Sequence, residues 1–531
     1  MDPIWLSIAF ILGLGVRAIG LPPLVGYLLA GFALNYFGAE QGSFVSIVSD
    51  LGITLLLFTI GLKLKIKNLI KPEIWVGASL HIGLTTLIFS SIIFGLSFSG
   101  LTIFSDLSWQ KSLIIAFALS FSSTVFAVKI FEEFGEINSY HGILAIGVLI
   151  MQDIFAVVFL VFAAGKVPNI YALGLPIVLI ILKPILVWLL KKIGHGELLI
   201  LFGFFVAVVL GAEMFKFVGL KADLGALVMG ILLSNTKKTN ELYEKLISFK
   251  DFFLIGFFLS IGLAGIPKLE HLVIALILAV LINIKVVLYF LTFTRFKIRA
   301  RTAFFATLGL SNYSEFGLIV ATIAVSTGMI DSDWLVILAL ALSVSFVVSS
   351  PLNVKGHKIF AFVRKKLKVF ETRLRLEYDK TFDIGNAEIL VFGMGRLGTA
   401  VYDQLSKKYG QKVLAIDINN DKVAQHQTQG RNVLHDDATD IEFWDAVKHD
   451  HQNTEQVKIV ILCMGNFNAN LIAIERLKTI GYKGIIAATG VHDDQINILK
   501  RLGVNSVYNV FTEAGTGFAD HLCLTIPEKN G

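Results

Sequence analysis

Charge is scarce in this 531-residue chain: 16% of its residues are charged, against about a quarter in an ordinary soluble domain. That shortage excludes a purely soluble protein. Cysteine is scarcer still, with only Cys463 and Cys523. Their spacing is neither that of a disulfide framework nor that of a metal-ligand set, so both read as ordinary thiols of a reducing compartment. The opening residues Met1-Asp2-Pro3-Ile4-Trp5 lack the positive segment of a cleaved signal, so the first apolar run is expected to stay as a span. The net charge of +6 makes no case for nucleic acid, because Lys and Arg stand in short clusters between apolar runs, which is a signature of membrane topology.

What the chain has in abundance is apolar sequence, 55% of its residues. From Met1 to about Leu352 it comes in long runs; the last 145 residues instead alternate spaced charges, short β-branched runs and Gly/Asp turns. The division predicts a transmembrane domain over 1–353, a basic linker over 354–386 and an α/β nucleotide-binding domain over 387–531. Runs long enough for a bilayer fall near 4–19, 21–38, 45–63, 73–98, 110–130, 141–164, 169–190, 197–215, 220–235, 251–266, 269–294, 301–327 and 334–352. That is an all-α membrane fold of thirteen spans. With the C-terminal domain in the cytosol, an odd count puts the N-terminus outside. The inside loops then hold 16 Lys/Arg, among them Lys63, Lys65, Lys67 and Lys71, Lys237 to Lys250 and Arg295 to Arg301, while the outside loops hold five: Lys111, Lys166, Lys216, Lys221 and Lys268. This asymmetry follows the positive-inside rule.

Two spans carry small polar runs at their centres: Ser120-Phe121-Ser122-Ser123-Thr124, and Gly309 to Gly317 with Ser311, Asn312, Ser314 and Glu315. Such runs are poor helix and are tolerated at membrane depth only where they line protein or water. The two spans lie seven apart and so cross in opposite directions, the pattern of an inverted-repeat transporter with its site at the midplane. Helix packing also favours small polar residues, but explains a matched pair less well. A charge at the bilayer centre costs on the order of 3 kcal/mol or more, and Asp153, preceded by Gln152, Lys285 and Glu315 stand there. Asp50, Lys183, Glu213 and Asp223 lie nearer span ends or breaks and read as interfacial or structural. A buried Asp153 carboxylate, with Ser122, Ser123, Thr124 and unwound carbonyls around it, suits either a proton or a dehydrated alkali cation. Competition between the two at one site is sufficient for exchange. Lys285 is expected either to pair with Asp153, as ion stand-in or helix tether, or to carry a proton itself; Glu315 is an ion-site candidate or a helix cap.

The run Gln152-Asp153, the Ser122-Ser123-Thr124 break, Gly225 to Leu233, Phe257 to Leu263 and Ser314-Glu315-Phe316-Gly317 together resemble Kef-type potassium:proton antiporters, within the second family of monovalent cation:proton antiporters. The resemblance implies a thirteen-span inverted-repeat fold, a homodimer in the cytoplasmic (inner) membrane with lipid around it, a mobile core bundle and Asp153 as the carrier of potassium and proton. Electrogenic relatives carry two adjacent acids where this chain has Gln152-Asp153; a single acid suggests one-for-one exchange, and a proton carried on Lys285 in a counter-direction is the alternative that leaves the stoichiometry open.

In the C-terminal part, Ala387 to Phe392 reads as a strand, followed by Gly393-Met394-Gly395-Arg396-Leu397-Gly398, a helix and a second strand ending in Asp417, 19 residues after the last glycine. This is the dinucleotide fingerprint: the glycines admit phosphates to a helix N-terminus and the acid takes ribose hydroxyls. An acid there disfavours a 2′-phosphate, so NAD(H) or AMP is expected. Further strands near 432–434, 458–463, 484–488 and 506–510 complete a six-stranded Rossmann sheet. No second substrate lobe and no His with a paired acid is evident, so the chain is expected not to be an enzyme. His435-Asp436-Asp437-Ala438-Thr439-Asp440 resembles the segment of potassium-transport nucleotide-binding domains that gate channels and antiporters. The resemblance implies regulation at a dimer of such domains, places Asp437 and Ala438 at the ligand, and admits an ancillary cytosolic regulator as a partner. Glutathione-gated Kef members carry an Arg-rich segment after the fifth strand; here Ala487 to His492 has no arginine.

The reading is a regulated potassium:proton antiporter. A sodium:proton antiporter and a membrane-tethered sensor without flux are the alternatives, together with a ligand-gated potassium channel, against which the lack of a Thr-Val-Gly-Tyr-Gly-like filter speaks. The linker, Lys355 to Ala387, has nine Lys/Arg against four Asp/Glu on a helix-compatible pattern, as expected of an inner-leaflet amphipathic segment or a solvated tether.

Overall fold

A computed structural model describes residues 3–19, 23–39, 42–63, 70–100, 102–105, 107–163, 171, 174–219, 222–234, 236, 238–263, 265–372, 374–376, 384–449 and 457–525. The loop lysines Lys65, Lys67, Lys166, Lys221 and Lys237 lie outside the described residues, as do Arg373 and Lys380 of the linker. The chain divides into two compact units, one of residues 1–127 and 144–372, the other of residues 128–143 and 373–531.

The first unit is helical. Its helices are α1 (Pro3–Ala18), α2 (Pro23–Tyr36), α3 (Ser43–Lys63), α4 (Pro72–Leu96), α5 (Trp109–Ser120), α6 (Thr124–Glu133), α7 (Tyr140–Ala163) and α8 (Leu175–Lys192). After them come α9 (Glu197–Phe217, with a π-helical run Phe205–Glu213), α10 (Ala222–Leu233), α11 (Thr239–Leu263), α12 (Leu269–Arg295), α13 (Ala300–Gly309), α14 (Glu315–Ser326), α15 (Asp333–Val354) and α16 (Gly356–Leu367). Among the described residues, six stretches are long and apolar enough to cross a membrane: Pro72–Leu96, Trp109–Glu133, Glu197–Phe217, Thr239–Leu263, Leu269–Arg295 and Asp333–Val354. A helix or a helix pair lies over each of the expected runs.

One boundary differs. Helix α11 begins at Thr239, well before the expected 251, so Lys245 and Lys250 are helical rather than in a loop. The physical reason is amphipathicity: Leu242 and Leu246, one turn apart, are both fully buried in the cluster with Leu55, Phe202 and Leu233, while charged residues between them depress the mean hydropathy. The run 354–386 opens with α16, which ends in Arg364, Lys365 and Lys366, cations that suit a helix C-terminus.

Two motifs that carried the sequence resemblance turn out to be helix crossings. In α10, a Cβ on Gly230 would lie 2.2 Å from Phe58 O of α3, and one on Gly61 would lie 2.9 Å from Gly230 Cα. In α11, a Cβ on Gly262 would lie 2.6 Å from Gly31 Cα of α2, and the reverse substitution meets Gly262 Cα at 2.7 Å. Lipid-like surroundings supply no hydrophobic drive between helices, so close backbone approach through small residues is what holds such pairs.

The second unit is built on a parallel sheet ordered β3-β2-β1-β4-β5-β6. Its strands are β1 (Ile389–Phe392), β2 (Val413–Asp417), β3 (Val433–His435), β4 (Ile459–Leu462), β5 (Ile485–Gly490) and β6 (Ser506–Asn509), close to the six expected. Every residue of β1 and β2 is buried, as a sheet covered on both faces by helices requires. The helices are α17 (Arg396–Tyr409), α18 (Asn420–Thr428), α19 (Ile441–His449), α20 (Phe467–Thr479), α21 (Asp493–Arg501) and α22 (Val510–Thr525). The order reverses between β1 and β4, the switch point at which such folds bind ligands.

Candidate ion site and nucleotide cleft

The polar runs singled out from sequence are where the backbone leaves the helix, at Phe121–Ser123 between α5 and α6 and at Leu310–Ser314 between α13 and α14. Freed backbone groups must find partners, and the two breaks supply them to each other. Ser123 N donates to Asn312 Oδ1 at 2.7 Å and Ser122 Oγ donates to Leu310 O at 2.8 Å. Asn312 in turn donates to Gly309 O at 2.9 Å. On the far side, Tyr313 N donates to Ser345 Oγ at 3.0 Å, and Ser349 Oγ donates to Ser311 O.

Burial separates the intramembrane charges into two groups. Asp153, Lys285 and Glu315 are at most 2% exposed, whereas Asp50, Lys183 and Glu213 are exposed. Asp153 faces the N-terminal end of α6: Thr124 Oγ1 donates to its Oδ2 across a long 3.5 Å. Glu315 opens α14, beside the N-cap Ser314, whose Oγ accepts from Phe316 N at 3.1 Å. Glu315 is near enough to Asp153 to act on it electrostatically, and neither of its oxygens closes a well-formed hydrogen bond. Two carboxylates thus stand beside two helix N-termini, whose dipoles favour negative charge.

Lys285 is placed differently from either sequence alternative in which it pairs with Asp153. Among the described residues no ion pair joins them; Lys285 Nζ donates to Phe121 O, to Asn312 O at 2.9 Å and to Leu119 O at 3.4 Å. The ammonium therefore sits on carbonyls at the C-terminal end of α5 and in the second break, where negative backbone charge gathers. Gln152 is likewise committed to protein. Its Oε1 accepts from Ser122 N at 2.8 Å, and its Nε2 donates to Tyr289 Oη at 2.5 Å and Ser120 O at 3.3 Å. Of the expected ligand set, Asp153, Thr124 and Glu315 lie together with few bonds to other protein groups among the described residues, while Gln152, Ser122, Ser123 and Lys285 bond to the two breaks. Sequence reasoning missed Tyr289 and gave Asn312 no role. The signal for Tyr289 was its position one turn after Lys285 on a single helix face.

In the second unit the glycine turn adopts the geometry its sequence implies. Gly393 has φ +91°, and a Cβ on Gly398 would lie 1.8 Å from Gly393 O, so side chains are excluded where the helix start meets the strand end. Asp417 closes the turn: its Oδ2 accepts from Met394 N at 2.7 Å and its Oδ1 from Asn419 N at 2.8 Å. Each oxygen keeps a lone pair for a ribose hydroxyl. Gly393, Gly395, Arg396, Leu397, Asp417, Asp437 and Ala438 line a cleft of about 680 Å³, within the range of small-ligand sites. Asp437 accepts from Thr439 N and Thr439 Oγ1, each at 2.8 Å, and is fixed in place. The cleft also takes in Phe134, Gly135 and Asn138 of the turn between α6 and α7, residues sequence reasoning left unassigned because nothing in their pattern marks a long-range contact.

Comparison with known proteins matches a family to each part of the chain. The family described as sodium/hydrogen exchanger, transmembrane, matches residues 6–354, and the TrkA-N domain matches residues 389–510. The chain is 25% identical over 509 residues to the glutathione-regulated potassium-efflux system protein KefC of Cronobacter sakazakii, covering 89% of this chain and 76% of that one. The sodium proton antiporter MjNhaP1 of Methanocaldococcus jannaschii aligns with 69% of this chain and 96% of its own, at 15% identity and a TM-score of 0.47. The NAD(P)-binding domain of an exopolyphosphatase-related protein from Archaeoglobus fulgidus aligns with 26% of this chain and 97% of its own, at 21% identity and a TM-score of 0.23. A match that takes in both broken-helix pairs, Asp153 and Lys285 settles the family: the chain belongs to the sodium/hydrogen exchangers of the membrane, and behind that region it carries a TrkA-N domain.

Proposed function

We propose that the protein is a potassium:proton antiporter that works by alternating access at Asp153 and is controlled by nucleotide on its TrkA-N domain. The observation that carries the reading is a buried Asp153 facing the break ahead of α6, with Thr124 and Glu315 beside it and, among the described residues, no cation of the protein paired to it. A carboxylate so placed binds a proton or a dehydrated cation but not both, and either neutralises it for passage. The single acid of Gln152-Asp153 supports one-for-one exchange. Potassium is favoured over sodium by the Kef-type relatives, whose name is that of a potassium-efflux system.

In this reading the chain makes thirteen crossings in two inverted halves, with the N-terminus outside and the TrkA-N domain in the cytosol, as a homodimer in the inner membrane. The Gly393–Gly398 turn takes phosphates and Asp417 takes ribose hydroxyls, which suits NAD(H) or AMP. Proteoliposomes loaded with a pH dye test the transport step: adding potassium should drive proton movement in the wild type and none in Asp153→Asn, and sodium in the same assay ranks the ions. If a preparation of folded wild-type protein moves no protons with either cation, in the presence or absence of NADH or AMP, the antiporter reading fails.

A further inference from the structure

One buried titratable side chain takes no part in the exchange described above. His81, on α4, is fully buried. Its ring lies flat on that of Tyr289, with centroids 3.3 Å apart and planes 6° from parallel. On its other side Tyr289 stacks against Phe293 at 5.7 Å. His81 Nε2 is 3.2 Å from Thr85 Oγ1 and 3.3 Å from Lys285 O, and Nδ1 has no hydrogen-bond partner among the described residues. The histidine is thus held at one edge, and the face it presents to Tyr289 is its main contact with the site.

Tyr289 is the hub of a directed chain. Its Oη accepts from Gln152 Nε2 at 2.5 Å and lies 3.4 Å from Ser122 Oγ. The one hydroxyl hydrogen of Ser122 goes to Leu310 O, so between Tyr289 and Ser122 the tyrosine is the donor. The order is Gln152 to Tyr289 to Ser122 to Leu310, linking the neighbour of Asp153 to both helix breaks. From α12 itself Phe293 also packs on the phenol; a tyrosine ring free to turn breaks the chain at its centre.

We propose that His81 and Tyr289 are positioning residues for the cation step: the stack holds the Tyr289 hydroxyl where it orders Gln152 and Ser122, and thereby the break that leads into Thr124, whose Oγ1 faces Asp153. The inference rests on Asp153 as the exchange site. A cation needs several oxygens in register, whereas a proton needs only the carboxylate, so disturbing the chain weakens cation binding more than proton binding.

The test is steady-state exchange in proteoliposomes, with cation and proton dependence measured separately for wild type, Asp153→Asn, Tyr289→Phe, His81→Ala, His81→Phe and His81→Gln. Tyr289→Phe and His81→Ala should raise the KM for the cation roughly tenfold, the scale of one lost buried hydrogen bond, with maximal rate and proton dependence within about twofold. His81→Phe, which keeps a flat ring, should restore the wild-type KM; His81→Gln, which keeps an edge donor without a ring, should not. Rescue by Gln and not by Phe overturns the stacking role, and an unchanged KM in both Tyr289→Phe and His81→Ala overturns the proposal. If Tyr289→Phe is not monodisperse in detergent, the comparison of His81→Ala with His81→Phe decides alone. A wild type without exchange sinks the antiporter reading itself, which separates the two failures.

Discussion

Asn466 donates from its Nδ2 to the main-chain oxygen of Glu132 at 2.9 Å, and to that of Glu133 at 3.1 Å, while its Oδ1 accepts from Ala469 N at 3.0 Å. One side chain closes the C-terminal end of α6 and the N-terminal end of α20, satisfying orphan groups of both. Asn468 adds a bond to Glu133 O at 3.0 Å. Asn468→Ala, which lies outside the cleft lining, is expected to keep nucleotide affinity and to cost about 1 kcal/mol of stability, the scale of one hydrogen bond. Calorimetric titration beside thermal unfolding checks this; an unchanged unfolding temperature would speak against the contact.

Lys285→Met removes the donor from three buried carbonyls, those of Leu119, Phe121 and Asn312. A loss of about 3 kcal/mol is expected, since orphaned buried acceptors each cost on the order of 1 kcal/mol or more. Thermal unfolding in detergent should show a fall of several degrees. If Lys285 instead served only as a mobile proton carrier, stability would hold and transport alone would suffer.

Gly230→Ala places a methyl 2.2 Å from Phe58 O, a distance no relaxation of a flexible side chain relieves, because the obstacle is backbone. Destabilisation of roughly 2 kcal/mol or more is expected from overpacking. Gly15→Ala is the control, for its Cβ meets nothing within 4 Å, and it should be neutral in the same unfolding measurement.

Asp417→Asn is expected to lower nucleotide affinity by roughly tenfold or more, the scale of a lost charge-assisted hydrogen bond to ribose. Isothermal titration of the full-length protein with NADH and with AMP measures it. Equal affinity in mutant and wild type would remove Asp417 from the ligand site and leave it the backbone contacts to Met394 and Asn419.

Burial pushes the Cys463 thiol up to about 11, so near neutral pH it stays protonated and a poor nucleophile. A maleimide at pH 7.5 should label exposed Cys523 and spare Cys463. Labelling of Cys463 should climb only as pH approaches 11, because the thiolate fraction rises tenfold per pH unit below that point. Mass spectrometry of the modified peptides reads both sites at once.

The parts legible in sequence are those with local signatures. Gly393 to Gly398 and Asp417 follow a strand and open a helix, and each stands where the fingerprint put it. The breaks at Ser122 and Asn312 announced themselves by polarity inside apolar runs, and Asp153 by the cost of its burial. The misses came from contacts that local pattern does not encode. Sequence offers the ammonium of Lys285 either a carboxylate partner or a proton-carrying role, yet α5 ends in carbonyls within its reach, and a helix terminus carries no charged residue for sequence to show. Gln152, expected among the ion's ligands, spends both ends of its amide on Ser122 N and Tyr289 Oη. His81 and Tyr289 lie more than 200 residues apart in sequence, so their stack had no signal at all. Helix α11 started early because Leu242 and Leu246 are buried on one face of a segment whose average is polar.

The glycine crossings have a mechanical meaning. Where α2 meets α11 and α3 meets α10, main chain touches main chain, and there are no rotamers through which one helix can slip past the other. In the antiporter proposed above, each such pair moves as one rigid body, and so do the two broken helices, where a Cβ on Gly317 of α14 would lie 2.3 Å from Ala118 O of α5.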